Sequence, residues 1–190
     1  MNRSTHKKVL FLVFGFPPRA GSGIQRAVRF VQHLPEKGWE PIILTIPRWG
    51  NDIVDLKWEQ RLPEGLKIYR VFSLDPFRIF QALRNTDAVS DSTAENNFRQ
   101  SVNNTGFLQV IRNLFHKISI PDHAVWWVPT ALIFGLYLVI RHRPRLIFST
   151  SGPYGTALAG LLLAKLTGLK WVAEFRDPWA AHPLRRRSGW

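Results

Sequence analysis

The sequence contains no cysteine. This absence excludes disulfide bonds, zinc sites built from thiolates and cysteine nucleophiles, and it fits a protein that works in a reducing compartment. A cleavable secretory leader is not indicated either, because the apolar run after the basic start "MNRSTHKK" is short and is broken by glycine and two prolines. We therefore expect a cytoplasmic protein.

The patterns that mark common cofactor and metal sites are also missing. A dinucleotide fingerprint on Gly21 and Gly23 would need glycine or alanine at Arg26, and the second apolar run ends at Thr45 where an NAD site would have an acidic residue. No Gly-x4-Gly-Lys-Ser/Thr stretch is present, which argues against a P-loop NTPase. The histidines lack metal-ligand spacing and are expected to be surface or structural residues. The sequence thus predicts no cofactor and no metal.

Acidic residues are scarce, with 13 Asp and Glu against 26 Lys and Arg, and the net charge is +13. The excess lies in residues 1–48 and 106–190, whereas residues 49–105 are nearly neutral. Such a positive field favours anionic partners, either phosphorylated ligands or acidic lipid headgroups. We expect no nucleic-acid partner, because no motif with base-stacking aromatic residues accompanies the charge.

Short apolar runs rich in β-branched and aromatic residues alternate with helical patterns at both ends of the chain. This alternation predicts a single Rossmann-like α/β domain over residues 1–190, with three layers and a mostly parallel sheet. The predicted strands are residues 8–14, 41–46, 66–71, 145–150 and 170–175, and the predicted helices start near Gly23, at 107, at 131 and at 152. Gly38 and Gly168 are predicted to end two of these helices.

Two segments depart from the alternation. Residues 85–106 are polar and poor in apolar side chains, so we predict a mobile excursion there. Residues 124–140 are apolar, but Pro129 and Thr130 interrupt them and leave only residues 131–140 uninterrupted. Because this is too short to cross a bilayer, we predict a buried core helix.

Three loops are predicted to leave strands at the carboxyl edge of the sheet, where such folds bind ligands: "GFPPRAGSG", "STSGPYG" and "RDPWAAHP". Gly21 and Gly23 permit close approach of the backbone, and the helix that follows offers free N–H groups and a positive dipole end. These features predict an anion site. The alternative is a loop whose glycines serve only its turn.

The stretch "EFRDPW" places three functional candidates after the last predicted strand. Arg176 is able to hold a phosphate, Asp177 to accept substrate hydroxyls and Trp179 to stack on a sugar ring. The alternative is an Arg176–Asp177 ion pair that only fixes the loop. Spacing alone indicates no Ser/His/Asp triad.

The stretches "VLFLVFGFPPRAGSGIQRAVRFVQHLPEKGWEPIILT", "PDHAVWWVPTAL" and "IFSTSGPYGTALAGLLLAKLTGLKWVAEFRDPW" resemble, in order and spacing, the N-terminal half of family 4 glycosyltransferases, the bacterial type of the GT-B fold. The resemblance skips roughly residues 49–105. It implies metal-independent, retaining transfer of a sugar from a nucleotide-sugar donor to a glycan or lipid-linked acceptor. The reaction would take place in a cleft between two Rossmann-like domains, at or near an anionic membrane surface.

The resemblance also implies roles for individual residues. Many relatives place a histidine after the last of these strands, where this chain has Arg176 and Asp177, so no catalytic histidine is assigned. The implied catalytic candidates are Asp177 and Arg176, the donor-phosphate loop is Gly21, Ser22, Gly23 and Gln25, and the acceptor side is Ser151, Gly152, Pro153, Tyr154 and Trp179.

The resemblance covers one half of such an enzyme. The other half, a C-terminal domain that binds the nucleotide sugar through a Glu-x7-Glu motif, has no counterpart in these residues. We therefore expect residues 181–190 to begin a linker, and a C-terminal domain or separate subunit to complete the donor site. The alternative function is a non-catalytic module that binds phosphorylated ligands or an anionic membrane surface.

Overall fold

The computed structural model describes residues 7–48, 53–75 and 122–175. Five parallel strands form one sheet in the order β3-β2-β1-β4-β5. The strands are β1 (Lys7–Leu12), β2 (Trp39–Thr45), β3 (Lys67–Arg70), β4 (Leu146–Ser151) and β5 (Lys170–Phe175). The predicted Rossmann-like α/β class with a parallel sheet is confirmed, and all five strands were anticipated.

In the described ranges, four α-helices and two 3-10 helices accompany the sheet. The α-helices are α1 (Ser22–His33), α2 (Leu56–Glu59), α3 (Val128–His142) and α4 (Gly155–Thr167), and the 3-10 helices are Pro35–Lys37 and His123–Trp127. Gly168 ends α4 as predicted. The prediction for Gly38 was wrong in detail, because α1 stops at His33 and Gly38 ends the 3-10 turn that follows. The predicted excursion at 85–106, the helix at 107–118 and the linker at 181–190 lie outside the described residues.

The two faces of the sheet carry separate hydrophobic clusters because side chains alternate along each strand. Phe11 and Val13 point to the α1 side and pack with Ala27, Val28 and Val31 of that helix. Leu10 and Leu12 point to the other side, where Trp127, Leu138 and Leu163 cover them. Helix α1 thus buries one apolar face against the sheet, which is enclosed between α1 on one side and α3 with α4 on the other.

Helix α3 differs from its prediction in two respects. Pro129 lies in its first turn, where proline is well tolerated, so this residue opens the helix rather than interrupting it. The helix is also only half buried. Its inner side packs closely on α4, where a Cβ at Gly135 would lie 2.8 Å from Leu163 Cδ2. Its outer side exposes four large apolar residues: Ile133, Phe134, Tyr137 and Ile140.

The strand order sets the position of the candidate site. The connection after β1 leads outward to β2, and the connection after β4 leads in the opposite direction to β5. A crevice therefore opens between the carboxyl ends of β1 and β4, at the switch point where open α/β sheets bind ligands.

Candidate anion-binding cavity at the carboxyl edge of the sheet

A cavity of about 310 Å³ occupies this crevice. One wall is the β1–α1 loop with the first turn of α1, and the other is the β4–α4 loop. The lining consists of residues 13–15, 19–21, 23, 24, 26, 123 and 150–153. Two of the three loops predicted to surround a ligand therefore meet here, and the third, from Arg176 onward, lies outside the described residues.

The β1–α1 loop is held in place by hydrogen bonds from neighbouring segments. Thr45 Oγ1 at the end of β2 donates to the carbonyl oxygen of Phe14 over 3.1 Å. The guanidinium of Arg70 on β3 donates to the carbonyl oxygen of Pro17, and burial lowers the pKa of Arg70, with Glu59 acting in the opposite sense. The N–H of Ala20 donates to the carbonyl oxygen of Ile53 over 2.8 Å. These contacts fix the loop before any ligand binds.

The N-terminus of α1 carries no cap from a side chain and no acidic residue in its first turn, as far as the described residues show. Gly21 precedes it with φ of +154°, a conformation that strongly favours glycine. The first N–H groups of a helix have no partner within the helix, and the helix dipole adds partial positive charge at the same point. This end of α1 faces the cavity through Gly23 and Ile24.

The N-terminus of α4, at the same edge of the sheet, is already occupied by a carboxylate of the chain itself. Asp122 accepts hydrogen bonds from the N–H groups of Tyr154 and Gly155, the latter over 3.3 Å, and also from Ala124 N over 3.0 Å. Gly155 permits this close approach, because a Cβ there would lie 2.5 Å from the backbone carbon of Ala124. Of the two helix ends, that of α1 has no acidic side chain against it among the described residues.

The charge on the cavity wall is positive. Arg19 and Arg26 line it, and none of the described lining residues is acidic. Arg26 forms an ion pair with Glu174 at the end of β5, whose second carboxylate oxygen is buried and has no hydrogen-bond partner among the described residues. The Arg26 side chain remains 48% exposed. Glu174 therefore offsets part of the charge of Arg26, and Arg19 lies in the β1–α1 loop of the same wall.

Ser151, Gly152 and Pro153 form the opposite wall. Ser151 is 3% exposed, and its Oγ has no hydrogen-bond partner within the part of the chain that the structure describes. Buried hydroxyls usually have a partner, but this oxygen is enclosed by protein atoms and is not open to a ligand in the cavity. Gly152 follows with φ of +142°, which again favours glycine. The ring of His123 meets Phe14 edge-on, with ring centroids 5.2 Å apart.

The structure places the residues predicted for the site as follows. Gly21 and Gly23 of the donor-phosphate loop line the cavity, and so do Ser151, Gly152 and Pro153 of the acceptor side. Gln25 is exposed on α1 and does not belong to the lining, and Tyr154 contributes its N–H to Asp122 instead. The remaining predicted positions, namely the side chain of Ser22 and residues Arg176, Asp177 and Trp179, lie outside what the structure describes.

The lining residues with ionisable side chains were not singled out by sequence reasoning: Arg19, Arg26 and His123. Arg19 and Arg26 could have been found from the sequence, because a cation in the β1–α1 loop and another near the start of α1 must lie close to the carboxyl edge of the sheet. His123 could not, since it lies 109 residues after Phe14 in the sequence and reaches the cavity only through the fold. Within the three described ranges, no cluster of three or more His, Asp or Glu residues is placed to hold a metal ion.

A comparison with solved structures finds a glycosyltransferase from Rickettsia africae ESF-5, which aligns with 88% of this chain at 10% sequence identity and a TM-score of 0.43. The present chain spans 29% of the length of that protein chain. A likeness this weak carries no argument about fold or activity. No protein-family model and no curated protein matches the sequence.

Proposed function

We propose that this chain is the N-terminal, acceptor-side domain of a retaining glycosyltransferase, and that its cavity holds the diphosphate of a nucleotide-sugar donor. The observation that carries the proposal is the pairing of an uncapped α1 N-terminus with a cationic cavity wall. Both features are complementary to a phosphate group. The sequence resemblance to family 4 enzymes supplies the reaction class.

The proposed chemistry needs no metal. The bond between the anomeric carbon of the sugar and the diphosphate oxygen breaks, and the same carbon forms a new bond to the oxygen of an acceptor hydroxyl with its configuration retained. The hydroxyl proton passes to the leaving diphosphate oxygen. Negative charge grows on the leaving diphosphate in the transition state. Fixed N–H groups of α1 and the guanidinium of Arg19 are placed to stabilise that charge, which is the contribution preorganised donors make to catalysis.

The acceptor side of the cleft belongs to the β4–α4 loop in this proposal. Ser151, Gly152 and Pro153 form the wall opposite α1, so an acceptor hydroxyl would approach from there. The catalytic roles of Arg176 and Asp177, and the sugar stacking by Trp179, stay predictions. A C-terminal domain or separate subunit that binds the nucleotide sugar is also part of the proposal, as are a cytoplasmic location and a glycan or lipid-linked acceptor.

The first experiment measures binding of inorganic pyrophosphate and of a panel of nucleoside diphosphates by titration calorimetry. We expect Arg19→Ala to weaken binding by about 10-fold or more, because hydrogen bonds to charged groups contribute about 1.5–3 kcal/mol. Arg29→Ala is the matched control: it also removes an exposed arginine from this part of the chain, but it lies outside the cavity lining. Equal losses in the two variants would show that general charge, and not the cavity, binds the anion.

The second experiment tests the reaction. The chain is joined to the C-terminal donor-binding half of a family 4 enzyme, and transfer of sugar from a nucleotide-sugar donor is measured. Transfer by the joined protein, and its loss in the Arg19→Ala form, would support the proposal. A folded joined protein that binds pyrophosphate without transferring sugar would favour the alternative, a non-catalytic module for phosphorylated ligands.

A further inference from the structure

The outer side of α3 carries a continuous apolar stripe, defined here as Ile133, Phe134, Tyr137 and Ile140. These residues recur at the spacing of one helix face. Ile133 is 67% exposed and Ile140 is 76% exposed, so the stripe has no cover among the described residues. Leu166, in the last turn of the neighbouring helix α4, is 64% exposed as well. Contiguous apolar surface of this kind marks a site of interaction.

The opposite side of the same helix is committed to the domain core. Ala131, Gly135 and Leu138 are buried, and Gly135 lies directly against Leu163 of α4. The stretch His123–His142 is long and apolar enough to cross a membrane by length and composition, and 39% of it is buried inside the fold. Because α3 also packs on β1 and β2, any lipid is able to reach it from one side only.

Positive charge surrounds one end of the stripe. Between Asp122 and Glu174 the sequence has no acidic residue. It has five cations in that interval, all exposed and all near the C-terminal ends of α3 and α4 or in the segments that follow: Arg141, Arg143, Arg145, Lys165 and Lys170. Glu40 lies near His142 at this end of α3, and it is paired with Lys67. An apolar strip beside cations that outnumber the acidic residues is complementary to a bilayer whose headgroups are anionic.

We propose that the α3 stripe and these five cations form a docking surface for an anionic lipid bilayer. The helix lies along the interface, with its outer apolar side chains at the acyl boundary and the cations on headgroup phosphates. A second copy of the chain fits this surface less well, because pairing two identical faces would bring like charges together. The inference does not depend on the proposed sugar transfer, since it rests on a different face of the molecule.

The test uses the whole 190-residue chain and vesicles made of one part phosphatidylglycerol to two parts phosphatidylcholine, with pure phosphatidylcholine vesicles for comparison. Binding is measured by co-sedimentation. We expect binding to the anionic vesicles and little to the neutral ones. The double variant Ile133→Ser/Ile140→Ser should bind about 100-fold more weakly, since burying one isoleucine side chain contributes about tenfold.

The matched control is Leu56→Ser. Leu56 is 59% exposed on α2, which lies on the other side of the sheet, and its loss should leave vesicle binding unchanged. All three proteins have the same net charge, so a difference between them reports the apolar stripe alone. Arg141→Glu/Arg145→Glu should weaken binding further, by about fivefold for each positive charge removed, and salt should weaken it in every form.

Two outcomes would overturn the proposal. Failure of the native chain to bind anionic vesicles would do so directly, and a dimer in light scattering that the double isoleucine variant abolishes would then identify the stripe as a contact between copies. Equal vesicle binding by the native chain and the isoleucine variant would show that charge acts without the stripe. Circular dichroism establishes that each variant is folded, and Arg19→Ala should bind vesicles normally even where it fails to bind pyrophosphate.

Discussion

The close contact between Gly155 and the 3-10 helix His123–Trp127 gives the sharpest test of the packing behind the α4 side of the cavity. In Gly155→Ala the new methyl carbon would lie 2.5 Å from the backbone carbon of Ala124 and 2.7 Å from the nitrogen of Val125. Both neighbours are main-chain atoms, so no side-chain rotation relieves the clash, and either α4 or the 3-10 helix must move. Moving them apart weakens the hydrogen bonds that Asp122 accepts from Tyr154 and Gly155.

The cost follows from these bonds. Hydrogen bonds to a charged acceptor stabilise the fold by about 1.5–3 kcal/mol each. The higher helix propensity of alanine relative to glycine offsets at most about 1 kcal/mol of their loss. We expect Gly155→Ala to lower the free energy of unfolding by about 2–4 kcal/mol and the melting temperature by about 5–15 °C. Urea unfolding followed by circular dichroism measures the free energy, and differential scanning calorimetry measures the melting temperature.

The control is Gly168→Ala at the other end of α4. Gly168 has φ of +70°, and a Cβ at this position would have no neighbouring atom within 4 Å. Its alanine variant therefore carries only the strain of a left-handed backbone, about 1–2 kcal/mol. Asp122→Asn should couple with Gly155→Ala in a double-mutant cycle, because both act on the same bonds. Gly155→Ala variants as stable as the native protein, or additive with Asp122→Asn, would refute the close-approach argument.

Three further predictions concern charge. Glu174→Gln releases Arg26 from its ion pair. We therefore expect pyrophosphate to bind about two- to fivefold more tightly at low salt, and we expect high salt to remove this gain. Unchanged calorimetric titrations would contradict a role for Arg26. Burial and nearby cations lower the pKa of His142, whose Nε2 lies 2.8 Å from the hydroxyl oxygen of Tyr69. As the pH falls, the unfolded chain therefore takes up a proton before the folded chain does. Stability should be complete above about pH 6.5 and fall as the pH drops below it. Urea midpoints between about pH 7.5 and about pH 5.5 measure this fall, and it should shrink in His142→Gln. Gly23→Asp should abolish pyrophosphate binding yet preserve the urea midpoint, since a carboxylate in a first helical turn favours the helix; retained binding would remove the loop from the site.

The order of the elements could be predicted because its causes are local. β5 agrees with its predicted bounds, residues 170–175, since a short β-rich run lies between Gly168 and a charged loop. β1 was predicted to continue to Phe14, and Val13 and Phe14 do keep hydrogen bonds to β2 after the strand formally ends. The error at Gly38 arose because Pro35 begins a separate 3-10 turn that the helical periodicity alone does not separate from α1.

The ion pairs and hydrogen bonds of the site could not be predicted, because they join residues that are far apart in the sequence. Arg26 and Glu174 are 148 residues apart, and Asp122 reaches the start of α4 across 33 residues. Neither pair leaves a mark in the spacing of the sequence. The prediction of Gly21, Gly23 and the segment 151–153 relied on the family resemblance and on the rule that loops at the carboxyl edge bind ligands. The rule says where the cavity is but not which charges are neutralised around it.

The carboxylate of Asp122 gives the cavity a direction. Two parallel helices begin at this edge of the sheet, and without Asp122 both would present a positive end to an anion placed between them. With one end neutralised, the electrostatic potential falls from the α1 wall to the α4 wall. An elongated anion with two unequal ends would therefore bind in one polarity, with its less charged end facing the β4–α4 loop.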